Sequence, residues 1–85
     1  MSKYTVVLSK KAVKQLDRLP EKISEGIIES IVSLEENPRP FGYKKLQGRD
    51  GYRIRYGNYR VIYDILEEIL IVDIIELGHR KKIYK

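Results

Sequence analysis

Three arginines define the chemistry open to this chain. Arg53, Arg55 and Arg60 fall in the stretch GYRIRYGNYRVIY, residues 51–63. It reads as two short strands joined by a Gly57-Asn58 turn. With that turn setting the register, Tyr56 stands opposite Tyr59, Arg55 opposite Arg60 and Ile54 opposite Val61. Alternation then gathers Tyr52, Ile54, Tyr56, Tyr59, Val61 and Tyr63 on one face and the three arginines on the other. Like charges directly opposite each other weaken a strand pair, so stability does not account for Arg55 facing Arg60. Guanidinium groups converging on one patch form a seat for an anion, and phosphate is the obvious one.

A phosphate held in this way admits one metal-free reaction, attack of a neighbouring ribose 2′-hydroxyl on the phosphorus. It needs a base for that proton, cations for the developing phosphorane charge and an acid for the departing 5′-oxygen. Arg53, Arg55 and Arg60 can supply the cations. His79 is the one side chain whose ordinary pKa suits proton transfer near neutrality. Alternation sends His79 and Arg80 to opposite faces, and Gly78 permits either assignment. If the tail is extended, Arg80, Lys82 and Tyr84 point the same way, a row suited to a phosphate chain and a stacked base. Lys44, Lys45 and Arg49 lie in a preceding loop and could grip a phosphate backbone. Asp64 and Asp73 have no third ligand near them, so neither a metal site nor a cofactor is expected.

The charge distribution fits a polyanionic partner. Residues 39–60 hold seven Lys/Arg against one Asp, residues 79–85 hold four Lys/Arg and no acid, and residues 61–78 hold five acids and no Lys or Arg. The net charge of +5 is concentrated accordingly. With no cysteine and one histidine, disulfide and thiolate chemistry are excluded and a protein zinc site is not expected. The apolar run from Tyr4 to Leu8 is too short for a signal peptide or a membrane span. A cytoplasmic protein without membrane contact is expected, with residues 1–85 forming one domain.

The elements that must carry these residues are legible in the apolar pattern. Tyr4–Leu8 reads as a strand and Ser9 as a helix cap. Ala12, Val13, Leu16 and Leu19 form a helical stripe that ends at Pro20. A second helix carries Ile23, Ile27, Ile31 and Leu34 on one side, widened by Ile28 and Val32, with Gly26 costing it about 1 kcal/mol. Residues 38–51 read as a loop. A last strand spans Ile69–Leu77 after a turn at Glu67-Glu68. Pairing Leu66 with Ile69 sets Arg60 opposite Ile75 and Val61 opposite Ile74. On that register Ile62, Ile71, Asp73, Ile75 and Leu77 share the arginine face. The expected fold is α+β in the order β-α-α-β-β-β, with a helical hairpin packed on the tyrosine face of a mostly antiparallel sheet.

The segments SKKAVKQLDRLP, NPRP, KKLQGRDGYRIRYGNYRVIY and LGHRKKIY together resemble the RelE/ParE superfamily of type II toxins, in its RelE-like branch. The resemblance covers nearly the whole chain. It implies a ribosome-dependent endoribonuclease, an mRNA interferase that cuts messenger RNA in the decoding site and so inhibits translation. It also implies a heteromeric complex with a cognate antitoxin that is small and partly acidic, and a 70S-type ribosome as the other partner. By the resemblance, Arg60 is the residue that stabilises charge on the scissile phosphate, Arg80 the arginine of the Gly-x-Arg segment and Tyr84 the base-stacking tyrosine. Arg53 and Arg55 fall where two lysines of the active strand stand in the family. Arginine, with a pKa above about 12, cannot act as a base there. The alternative within the superfamily is a ParE-like protein that binds DNA gyrase without nuclease chemistry.

Overall fold

The computed structural model describes residues 3–83. Strand β1 (Thr5–Leu8) leads into helix α1 (Lys10–Asp17) and helix α2 (Glu21–Ser33). A short strand β2 (Lys44–Lys45) follows, then β3 (Tyr52–Tyr56), β4 (Tyr59–Leu66), β5 (Ile71–His79) and a single helical turn α3 (Arg80–Ile83). The sheet runs β1-β5-β4-β3-β2, with β1 parallel to β5 and every other pair antiparallel. The expected α+β architecture is present. The sequence reading missed β2, which lies inside what was read as a loop and is only two residues long.

Each helix boundary has a local cause. Ser9 caps α1, its Oγ accepting from the Ala12 N–H at 3.0 Å, and the same hydroxyl donates to the Ile75 carbonyl at 2.7 Å. Pro20 closes the link between the helices and precedes α2 with a φ of −55°. The helix-side core joins Ala12 from α1 and Ile27 and Ile31 from α2 to Ile54, Val61, Tyr63, Val72, Ile74 and Leu77 of the sheet. Ile28, Val32 and Val13 are exposed, so the buried stripes are narrower than the sequence suggested. Each helix presents only one line of side chains to the twisted sheet. Gly26 has a packing reason, because a Cβ there would run into the Tyr56 ring.

The β3–β4 hairpin has the expected register: Tyr56 opposite Tyr59, Arg55 opposite Arg60, Ile54 opposite Val61. Gly57 takes a φ of 59° while Asn58 stays at negative φ, the pattern of a II′ turn. The β4–β5 hairpin differs from expectation. Its loop is four residues, Glu67 to Leu70, and Leu66 pairs with Ile71 rather than Ile69. A two-residue turn would have forced Glu67 or Glu68 into positive φ, whereas the longer loop puts only Leu70 there, at 56°. A β-bulge follows: Tyr63 pairs with Ile74 but Ile62 pairs with Glu76, leaving Ile75 as the extra residue. Arg60 therefore stands opposite Gly78, and Val61 opposite Leu77. Leu77, expected on the arginine face, is fully buried on the helix side.

A candidate RNA-cleavage site on the arginine face

Cross-strand pairing lays out the arginine face in rows. One row runs Lys44, Arg53, Ile62, Glu76 across β2, β3, β4 and β5, and the next runs Arg55, Arg60, Gly78. Asp64 and Asp73 face each other in a row further along. The face is thus polarised, with arginine against arginine at one end and aspartate against aspartate at the other. Both like-charge pairs oppose strand pairing.

This face is not bare. Arg53 and Arg60 are only 7% and 9% exposed, while Arg55 is open to solvent. Among the described residues, Leu46 and Ile62 are the two buried apolar side chains outside the helix-side core cluster. Ile62 pairs with Arg53, and Leu46 opens the segment 46–51, which folds back with the Leu46 N–H donating to the Gly51 carbonyl at 3.0 Å. Gly51 sits at a φ of 120°, and a Cβ there would crowd the Tyr63 carbonyl and Leu46. At 7% and 9% exposure the Arg53 and Arg60 guanidinium groups are largely withdrawn from water, and Arg60 Nε is fully buried. Fixed cations in a partly dehydrated site act more strongly on an anion than solvated ones.

The expected loop cations divide. Lys44 shares the arginine face through its pairing with Arg53. Lys45 pairs with Tyr52 and its Nζ lies 5.5 Å from the centre of that ring, on the other side of the sheet. Arg49 reaches the arginine face, with Nη1 3.7 Å from Oε2 of Glu76. At the chain end, His79 pairs with Tyr59 and meets its ring edge-on at 5.6 Å. It lines a cavity of about 280 Å³ with Gln15, Arg18, Leu19, Tyr59, Leu77 and Gly78. His79 therefore lies on the helix side, away from the three arginines. Arg80 is exposed and opens α3, its N–H donating to the Asn58 carbonyl at 2.9 Å. Residues 80–83 are helical, not the extended tail that was expected. Tyr84 lies outside the described residues.

Glu76 is the residue that the sequence reading missed. Its side chain is 14% exposed, with Oε1 2.9 Å from Lys11 Nζ and Oε2 3.7 Å from Arg49. The shifted register of the β4–β5 hairpin had put it on the wrong face. Among the described residues, no group of three or more His, Cys, Asp and Glu is placed to hold a metal ion. Nor is any helix among them long and apolar enough to cross a membrane.

A helical pair over one face of a five-stranded sheet is a small α+β domain, with three arginines at alternating positions assigned to the far face. This chain belongs to the RelE/ParE superfamily of type II toxins: residues 6–84 match the ParE toxin family of type II toxin–antitoxin systems. Its RelE-like character follows from the relatives. It is 36% identical to the putative toxin RelE1 of Methanocaldococcus jannaschii, over 98% of this chain and 97% of that protein. It is 29% identical to the mRNA interferase toxin RelE of Escherichia coli K12, over 93% of this chain and 85% of that one. Among solved structures, the archaeal RelE–RelB complex of Pyrococcus horikoshii OT3 matches with a TM-score of 0.82 at 35% identity, covering 94% of this chain and 98% of the toxin.

Proposed function

We propose that this toxin is an endoribonuclease that cuts messenger RNA on the ribosome, using fixed positive charge in place of a metal or cofactor. The observation that carries this reading is the Arg55–Arg60 pair set directly across two strands and flanked by Arg53. A bridging phosphate relieves the repulsion between them. Arg60, opposite a glycine, offers its guanidinium to the scissile phosphate. Arg53 and Arg55 hold the flanking backbone, and Lys44 and Arg49 extend the grip. Arg80, beside the Gly57-Asn58 turn, adds a cation at one end, and Tyr84 supplies a ring for a base. The reaction takes place where ribosomes are, in the cytoplasm. The relative from E. coli named as an mRNA interferase supports the activity. Structures of relatives complexed with RelB support a small antitoxin as partner. Its acidic part would cover the arginines, and an amphipathic helix would cover exposed apolar side chains such as Ile28 and Val32.

The matching family carries the ParE name, and the second reading is a ParE-like protein that binds DNA gyrase without nuclease chemistry. One experiment separates the two. Ribosomes programmed with a defined mRNA are incubated with the protein or with Arg60→Ala, and cut transcripts are mapped. Cleavage by the wild type, reduced about 100-fold or more in Arg60→Ala at unchanged ribosome binding, supports the nuclease. Intact transcripts together with broken chromosomal DNA on expression would establish the gyrase reading instead.

A further inference from the structure

Removal of the 2′-hydroxyl proton needs a side chain able to accept it. Arg53, Arg55 and Arg60 cannot, because guanidinium keeps its protons throughout the working range. His79 is on the other side of the sheet, against Tyr59. We propose that Glu76 is the general base of this site, an assignment that rests on the RNA-cleaving reading above.

The fold aims Glu76 deliberately. Strict alternation from buried Ile74 would send residue 76 into the helix-side core. The bulge at Ile75 reverses it, so that Leu77 enters the core and Glu76 joins the arginines. Bulges recur next to active sites, where they re-aim one side chain. This one leaves backbone groups without ladder partners, and two side chains satisfy them. Ser9 Oγ donates to the Ile75 carbonyl at 2.7 Å, and the Leu77 N–H donates to Gln15 Oε1 at 2.7 Å.

The position suits the role. Arg60 pairs with Gly78, so Glu76, two residues along on the same face, is its diagonal neighbour at about 7–8 Å between backbones. Gly78 contributes no side chain beside Arg60 and Glu76. The charged groups in contact with the carboxylate are Lys11 from α1 and Arg49 from the loop, and Arg60 of β4 stands diagonal to it in the ladder. Arg53 and Lys44 lie further along its row, beyond Ile62. Oε1 is bonded by Lys11 at 2.9 Å. The 3.7 Å contact from Arg49 is too long for a hydrogen bond, so Oε2 keeps lone pairs for a proton. Arg49 and Lys11 are half or more exposed and can swing onto a phosphate when RNA arrives.

In the step, the 2′-O–H bond breaks and its proton passes to Oε2 of Glu76. The freed oxygen bonds to phosphorus while the P–O5′ bond breaks. The 5′-oxygen leaves with a proton from water, giving a 2′,3′-cyclic phosphate and a 5′-hydroxyl. Arg60 and its neighbours hold the charge of the phosphorane between these events.

The test is single-turnover cleavage of ribosome-bound mRNA by the full chain across acidic to neutral pH, with ribosome binding measured in parallel. E76Q is expected to slow cleavage about 100-fold or more and to abolish the fall in rate on the acid side, with binding unchanged. E76D keeps a carboxylate and should keep that acid limb at an intermediate rate; it carries the test if E76Q proves unfolded, and loss of its acid limb overturns the assignment. Wild-type rates in E76Q overturn it too, as does equal slowing by E76Q and K11M with the pH profile intact, which would make Glu76 a positioning residue. A wild type that cuts nothing on ribosomes removes the nuclease reading and the base together. An active wild type beside an active E76Q removes the base alone.

Discussion

Strand β4 belongs to two hairpins, and they specify themselves in different ways. Toward β3, the register is set by two residues, Gly57 and Asn58, whose backbone preferences admit few alternatives. Toward β5, the loop from Glu67 to Leu70 carries no such signature. Its register is set by what Val61, Tyr63 and Ile65 meet in the core, namely Leu77, Ile74 and Val72. The loop is anchored from outside: Arg39 pairs with Glu67 at 2.8 Å, and the Tyr4 hydroxyl donates to Glu67 at 3.0 Å. Locally coded turns are readable from one sequence, whereas registers fixed by tertiary packing are not. The second hairpin is also where a bulge could enter, because no tight turn holds its strands to strict pairing.

The largest effect that sharpens this contrast is expected from Leu77→Ala. In the bulged register Leu77 is fully buried opposite Val61, so truncation should cost about 2–5 kcal/mol in chemical denaturation. A loss of a few tenths would mean that Leu77 lies on the arginine face and that the bulge is absent.

Gly57→Val attacks the other hairpin. No atom stands within 4 Å of a Cβ at Gly57, so its φ of 59° is the whole penalty, and about 1–2 kcal/mol should be lost. An unchanged midpoint would show that the turn does not direct the β3–β4 register.

Glu67→Gln gives the smallest change, and its pH dependence identifies it. Arg39 foremost, then the Tyr4 hydroxyl, hold the Glu67 carboxyl below its usual range. A depressed carboxyl stabilises the fold above its unfolded pKa, and that contribution disappears as pH falls through the lower folded value. The wild type should therefore melt slightly higher than Glu67→Gln at neutral pH, and the two curves should converge in acid. A gap that persists in acid would contradict the anchoring role.

These differences also explain what the sequence could tell about the site. Arg53, Arg55 and Arg60 were legible because alternation around a coded turn assigns faces without tertiary information. The narrowness of the helical stripes was not, since exposure of Ile28 and Val32 depends on how each helix crosses the sheet. Neither were the positions of His79 and Glu76, both downstream of a loop and a bulge that local propensity does not encode. Arg49 was legible as a loop cation, but not its approach to Glu76, which depends on how residues 46–51 fold back.

Placing Arg55 against Arg60 at the expense of sheet stability is the feature on which the functional account depends. Arg55 is the exposed member, so Arg55→Thr removes the repulsion without opening a cavity and adds a good strand former. Denaturation midpoint and cleavage of ribosome-bound mRNA should be measured on the same preparation of this variant. The account predicts opposite signs: stability higher by up to about 1 kcal/mol, and cleavage slower by about tenfold or more. A variant that is less stable and cuts at the wild-type rate would contradict it.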